Sequence, residues 1–547
     1  MMVFSPKKFL QNIRLQAQSP AFWFFMVAFA LTMWVRFRHI DIAFERDEGE
    51  YAYAGQEILR GGLPYKDVYN MKLPGTYYTF ALIEWIGGDS TRAIKTGLII
   101  VNLLNAFWLF GIARRLKNTA AGWATAGAYL LLSLSFRAQG WTANSEHFVL
   151  FFSLWGIYNF VVARQKTGFQ HFIWLFATGV GLMSAFICKQ HAIGWLIFPP
   201  ILLLIEGFSS QHFIPFLKKY ILQNLFYGMG VLVMLGGLVG FFQHKNIFSE
   251  FYFFTFQYAQ AYGSIETPFV NLWQFRPIFW DASVFWLLCF GLFGALLRNK
   301  TTHFEGNRWF LVLFFLCSFV CICPGWYFRP HYFQLMMPAA ALLAGLHLAT
   351  TETWFRGRLP VRVMLGLGIL SCIIPQFGYF FSWSSNHVTN KMYGGSLFTE
   401  LKQLGDEIPK MMRQPNSKLG ILGAEPQLFF HAKRQAASGF MYAYPLYENQ
   451  PFALQMGQQF GAEMDKNKPE LYIYFCSNEG LDYNPAMSIF MQSWSQKFVK
   501  DYDVVGKIYN TKDGYDDLNE IRWAERGDDI SSDAYVFATI YRRKANQ

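Results

Sequence analysis

Residues 46–75 read RDEGEYAYAGQEILRGGLPYKDVYNMKLPG, and they come shortly after the first long apolar run of the chain, FWFFMVAFALTMWV at 22–35. The apolar run, which begins near Ala21, is long enough to cross hydrocarbon. No small-residue cleavage pattern follows it, so it reads as a retained spanning helix rather than a signal peptide. The stretch after it is therefore a loop delivered to one membrane surface. That loop carries nine carboxylates between Asp41 and Asp89, including the adjacent Asp47 and Glu48. A charge held beside hydrocarbon must be paired, hydrated or matched by a ligand.

The rest of the chain repeats the alternation. Of its 547 residues, 53% are hydrophobic, 19% aromatic and only 15% charged, and the apolar residues fall in long blocks. This composition indicates a polytopic α-helical membrane protein. Further spans are expected to start near Arg92, Ala120, His147, His171, His191, Ile221, Trp280, Trp309, Tyr332 and Met364, about eleven in all. The aromatic stretches 76–86 and 247–262 are too short or too polar to span and suit interfacial helices. The formal charge of +11 comes mostly from Lys and Arg at the ends of apolar blocks, which fits lipid headgroups and topology and excludes nucleic acid as a partner. The seven cysteines show neither metal-ligand nor disulfide spacing and read as small apolar fillers.

Short, densely basic connections such as ARRLKN, ARQKTG and FRGRLPVR lie on alternate sides of the spans and are expected in the cytoplasm. The RDEGEY loop then faces outward, and eleven crossings put the C-terminal segment outside as well. The expected division is a transmembrane catalytic domain at 1–384, with its first outer loop at 37–91, and an extracytoplasmic α/β domain at 385–547. In the latter, KLGILGAEPQLFF, ELYIYFCS and DAYVFATIYRR read as strands, and SLFTELKQLGDEIPKMM and AMSIFMQSWSQKFVKDY as amphipathic helices.

The first loop divides into two parts. YAYAGQEIL is a good helix former, and Asp47 is placed to cap it; Gly61, Gly62 and Pro64 end that helix, and Pro74-Gly75 turns the chain after Lys72. Other outward ends add Glu146 and His147 in ANSEHF, Lys189 and His191 in CKQHA, and Arg329 and His331 in FRPHYF. Taken singly, each of these is as well explained by interfacial anchoring as by ligand binding. Together, Lys72, Lys189 and Arg329 supply cations at three helix mouths on one face, a chemistry suited to phosphate.

The succession RDEGEYAYAG, YNMKLPGTYY, ANSEHF, GLMSAFICKQHA and RPHYFQLMMPAAALLAG resembles the integral-membrane glycosyltransferases of the C-type fold. It is most similar to the bacterial branch related to protein O-mannosyltransferases and to the lipid A aminoarabinose transferases. The resemblance covers about residues 20–350, and EPQLFFHAKRQAASGF is similar to the soluble domain of some bacterial members. It implies a glycosyltransferase C-type fold and a polyprenyl-phosphate-linked sugar donor, with Asp47 as catalytic base and Glu48 as its neighbouring acid. It also implies phosphate contacts at Lys72, Lys189, Arg329 and His331. Tyr65, Asp67 and Glu146 remain candidates for acceptor binding or loop organisation. Gly75 stands where the aminoarabinose transferases tend to have a second proline, which leaves the donor sugar and the acceptor open.

The expected activity is inverting transfer of a sugar to a hydroxyl on a lipid-linked glycan, a polysaccharide or a protein, at the outer face of a bacterial inner membrane. The competing reading is a transporter or flippase of a phosphorylated lipid. Transporters tend to place binding groups at midmembrane in repeated halves, whereas here the ionisable residues cluster at one interface. No cofactor is expected. Asp47 and Glu48 are capable of binding a divalent ion but lack a defined coordination shell, so an essential metal is not favoured.

Overall fold

A computed structural model of the protein describes residues 18–208, 213–263, 267–298, 302–354, 358–475, 485–511, 520–525 and 535–545. The basic N-terminal tail and the ends of the expected strands ELYIYFCS and DAYVFATIYRR lie outside the described residues. The chain forms two compact units: one of residues 1–38, 95–241 and 266–383, the other of residues 39–94, 242–265 and 384–547.

The first unit is helical. Among the described residues, seven helical segments are long and apolar enough to cross a membrane: Pro20–Arg38, Thr91–Leu116, Ser145–Arg164, Gly168–Cys188, Gln190–Phe208, Phe213–His244 and Pro330–Thr350. An eighth arises if Val270–Trp280 and Ser283–Leu297, bent by 116°, count as one broken span. Among the described residues, not all of the eleven expected spans are long enough to cross. The spans expected near Trp309 and Met364 are the shorter apolar helices Arg308–Ile322 and Pro360–Gln376, and the one near Ala120 is Thr119–Leu132. At 1.5 Å per residue, a helix of 14 residues covers only about 21 Å of a hydrocarbon layer about 30 Å thick.

Small residues bring these helices together. Every residue from Ala339 to Ala344 is fully buried, and a Cβ on Gly345 would sit 2.6 Å from the Thr125 backbone nitrogen. Gly179 and Gly230 meet in the same way, each within 2.1 Å of a carbonyl oxygen on the other's helix if a Cβ were added. With lipid outside, burial of apolar surface offers little drive for association, and close backbone approach supplies packing in its place. Trp23, Trp34 and Phe37 on the first helix stay exposed, as a lipid-facing surface requires.

The second unit holds a five-stranded sheet in the order β1-β2-β5-β3-β4, built from β1 Leu419–Leu422, β2 Leu471–Phe475, β3 Tyr502–Thr511, β4 Glu520–Glu525 and β5 Tyr535–Arg543. Only β1 and β2 run parallel; the other pairings are antiparallel. KLGILGAEPQLFF is strand only at Leu419–Leu422, and its second half forms the helix Gln427–Ala432 after Pro426. The two expected helices occur at Leu397–Met411 and Pro485–Phe498. Strands β3 and β4 were not foreseen. The stretch 247–262 contains a π-helical turn, Phe253–Tyr258, between two short α-helices.

Candidate active site

The RDEGEY segment opens the helix Arg46–Leu59. Its cap is Glu45, not Asp47: the Glu45 carboxylate accepts from the Glu48 backbone N–H at 3.1 Å. The helix starts at Arg46, so Asp47 already lies in its first turn and is released from capping. Arg46 donates twice to Glu425 Oε1, at 2.8 and 3.1 Å, and Gln427 donates to the other Glu425 oxygen at 2.7 Å. Gly49 is needed for this approach, since a Cβ there would come within 2.4 Å of Gln427 Cβ. The helix is thereby anchored to the segment after β1.

Asp47 and Glu50, three residues apart, share one helical face. Lys72 Nζ donates to both, at 2.9 Å to Asp47 Oδ1 and 2.6 Å to Glu50 Oε2. Tyr77 donates its hydroxyl to the other Glu50 oxygen at 2.6 Å, and Tyr442 donates to Asp47 Oδ1 at 3.2 Å. The Tyr51 ring lies 4.6 Å from the ammonium. Exposure grades across the triad: the Glu50 side chain is fully buried, Lys72 is 13% exposed and Asp47 24%. Asp47 is thus the carboxylate an incoming molecule can reach.

Electrostatics follow from this geometry. Burial works against the Lys72 charge, but Asp47 and Glu50 outweigh it and hold the ammonium well above its ordinary range. Burial pushes Glu50 up, with Lys72 opposing. Burial, with Asp47 and Glu48 adding, pushes the Glu45 carboxyl up to about 8. Burial, reinforced by neighbouring carboxylates, also holds the Tyr77 and Tyr442 phenols well above their usual range, so both remain hydroxyl donors.

Tyr65 and Asp67 organise the loop. The Tyr65 hydroxyl donates to the Lys72 carbonyl at 2.8 Å, and Asp67 Oδ2 accepts from the Leu63 N–H at 2.8 Å. Tyr65 adopts φ +70°, held by ring packing against Phe242 and Phe251. Glu48 is fully buried.

The other candidates belong to the helical unit. Lys189 donates to Glu146 Oε1 at 2.5 Å, and both are nearly or fully buried. The Lys189 ammonium lies 4.5 Å from the Tyr332 ring, which also packs against His191 and His331. His331 Nδ1 is 3.2 Å from Gln139 Oε1, and His191 Nδ1 is 2.9 Å from the Cys321 carbonyl. Arg329 is exposed beside Tyr327. Among the described residues, no group of three or more His, Cys, Asp or Glu is arranged to hold a metal ion.

Sequence reasoning missed Glu45, Glu50, Tyr77 and Tyr442. The spacing of Asp47 and Glu50 was a usable signal for Glu50. Tyr442 lies 395 residues from Asp47 and gave none.

No family model and no curated protein matches the chain. Solved structures do. ArnT from Cupriavidus metallidurans bound to undecaprenyl phosphate aligns with TM-score 0.62 at 13% identity, over 96% of this chain and 98% of that one. Its apo state aligns with TM-score 0.56 at 14% identity, over 82% and 92%. The archaeal oligosaccharyltransferase AglB from Archaeoglobus fulgidus, in complex with an inhibitory peptide and a dolichol-phosphate, gives 0.52 at 10% identity, over 94% and 75%. At such identities the likeness is one of fold: the chain is a polytopic α-helical membrane protein of glycosyltransferase C-type architecture with a strand-containing C-terminal domain.

Proposed function

We propose that the protein is an inverting glycosyltransferase that moves a sugar from a polyprenyl-phosphate donor to a hydroxyl acceptor on the extracytoplasmic side of a bacterial inner membrane. The observation that carries this reading is the partly exposed Asp47 carboxylate, fixed by the Lys72 ammonium and the Tyr442 hydroxyl. The undecaprenyl phosphate in the ArnT structure and the dolichol-phosphate in the AglB structure support the donor class.

In the reaction, the acceptor oxygen attacks the anomeric carbon while the bond from that carbon to the phosphate oxygen breaks. The departing phosphate keeps the electron pair, and Asp47 takes the acceptor proton. Lys72 Nζ, 2.9 Å from Asp47 Oδ1, holds that carboxylate in place. The donor phosphate competes with Asp47 for that ammonium, and the exchange frees the carboxylate to meet the acceptor hydroxyl. Glu50, held by Tyr77, keeps Lys72 near the site throughout. Lys189, Arg329 and His331 are the phosphate-contact candidates of the helical unit. Acceptors of this chemistry include lipid-linked glycans, polysaccharides and protein hydroxyls.

The test supplies purified protein in lipid with a polyprenyl-phosphate-sugar fraction and follows free polyprenyl phosphate and glycosidic product by mass. Release of both together, lost in Asp47→Asn, is the expected result. Movement of the lipid across the bilayer with no glycosidic product would replace this reading with transport.

A further inference from the structure

At the end of the helical unit remote from Glu146 and Lys189 lies a cavity of about 670 Å³. Glu146 begins the helix Ser145–Arg164 and Arg164 ends it. Eighteen residues of helix separate the two by roughly 27 Å along the axis, close to the thickness of the hydrocarbon layer. The cavity therefore sits at the level of the opposite headgroup layer.

Its charge is one-sided. Arg115, Arg164, Lys166 and Lys219 line it, and among the described lining residues Glu206 is the one acid. Glu206 is already committed: it accepts from Arg164 at 2.6 Å, and Asn307 fixes the other arm of that guanidinium at 3.1 Å. Three cations remain in excess. The Arg115 guanidinium rests on the Tyr158 ring at 4.7 Å, which pre-orients it, while Lys166 and Lys219 are exposed at the rim. His171 and Gln223 pair at 2.9 Å and tie the second wall together. Below this rim the lining turns apolar, with Val161 and Leu203 buried. On the helix that supplies His171, Phe169 and Ile173 are exposed, as residues facing acyl chains would be.

We propose that this cavity seats the phosphate headgroup of an anionic membrane lipid. Basic pockets between spanning helices recognise such headgroups through charge-assisted hydrogen bonds, and the volume falls within the range of small-ligand sites. The apolar part of the lining, Val161, Phe172 and Leu203, together with exposed Phe169 and Ile173 on the helix that supplies His171, favours a lipid over a soluble phosphate, because it offers surface to an acyl chain. The inference is independent of the sugar-transfer reading.

The full-length protein in detergent, titrated with dioleoylphosphatidylglycerol and followed by native mass spectrometry, tests it. One lipid is expected to bind per chain in preference to dioleoylphosphatidylcholine. The double variant Lys166→Gln/Lys219→Gln is expected to weaken that binding on the order of tenfold. Lys218→Gln, a neighbouring lysine that does not line the cavity, is expected to leave it unchanged. Equal binding by wild type and double variant overturns the proposal, as does an equal loss in Lys218→Gln, which would indicate a diffuse basic surface. Inorganic phosphate displacing the lipid at comparable concentration would also overturn it, since the site would then read phosphate alone.

Discussion

Asp47 and Glu48 are adjacent in sequence but meet different surroundings, and that contrast supports the proposal that Asp47 is the base. Asp47 is reachable and shares an ammonium, while Glu48 is fully buried. Asp47→Asn keeps the side-chain volume and an oxygen for Tyr442, but removes the anion proposed as the base. Single-turnover transfer is expected to fall by about two orders of magnitude or more, with Glu48→Gln staying near wild type. The reverse pattern would move the base to Glu48. Lys72 shows what the loop sequence concealed. It reads as an interfacial cation free to meet phosphate, yet it is paired with two carboxylates, one of them fully buried. Lys72→Met therefore leaves Glu50 uncompensated and is expected to cost about 3–5 kcal/mol of stability. Lys72→Met/Glu50→Gln should recover much of that loss in thermal unfolding, without restoring transfer.

At the scale of single elements, the cap of the Arg46–Leu59 helix links stability to pH. The Glu45 carboxyl is raised from 4.5 to about 8, so the folded chain holds a proton that the unfolded chain releases. Stability is then fully present below about pH 4.5 and lost as pH rises through about 8. Glu45→Gln retains an oxygen for the Glu48 N–H and is expected to show a shallower fall in melting temperature between pH 5 and 8. The loop after this helix depends on Tyr65, whose hydroxyl holds the Lys72 carbonyl and whose rings-on-rings packing sustains a positive φ. Tyr65→Phe isolates the hydrogen bond and is expected to cost about 1 kcal/mol, measured by denaturation of the intact protein. Hydropathy located the helices well where they span fully. It misjudged the strand at Gln427–Ala432, because a mostly apolar run of six residues suits a buried strand or a buried helix equally.

For the whole molecule, the basic density of alternate connections predicts that residues 385–547 and the first loop face the same, extracytoplasmic side. Protease added to intact cells after outer-membrane permeabilisation is expected to cleave within the C-terminal domain at 385–547 while sparing the connection at 165–168. Cleavage only after the inner membrane is opened would reject that orientation. The sequence by itself determined the membrane class, the places where the seven long spans begin, although it counted about eleven spans, and the position of the acidic loop, because hydrophobicity and charge act locally and leave their pattern in the order of residues. It also placed a helix directly after Asp47, since YAYAGQEIL favours one on its own. Only the tertiary structure decided that Glu45 rather than Asp47 caps that helix, and that Glu50 and Tyr77 complete the setting of Lys72. It alone brought Tyr442 to Asp47, and it alone gathered Arg115, Arg164, Lys166 and Lys219 around one cavity. Such contacts arise from segments far apart in the chain meeting in space, and nothing in the local run of residues records which partner a carboxylate or an ammonium will find.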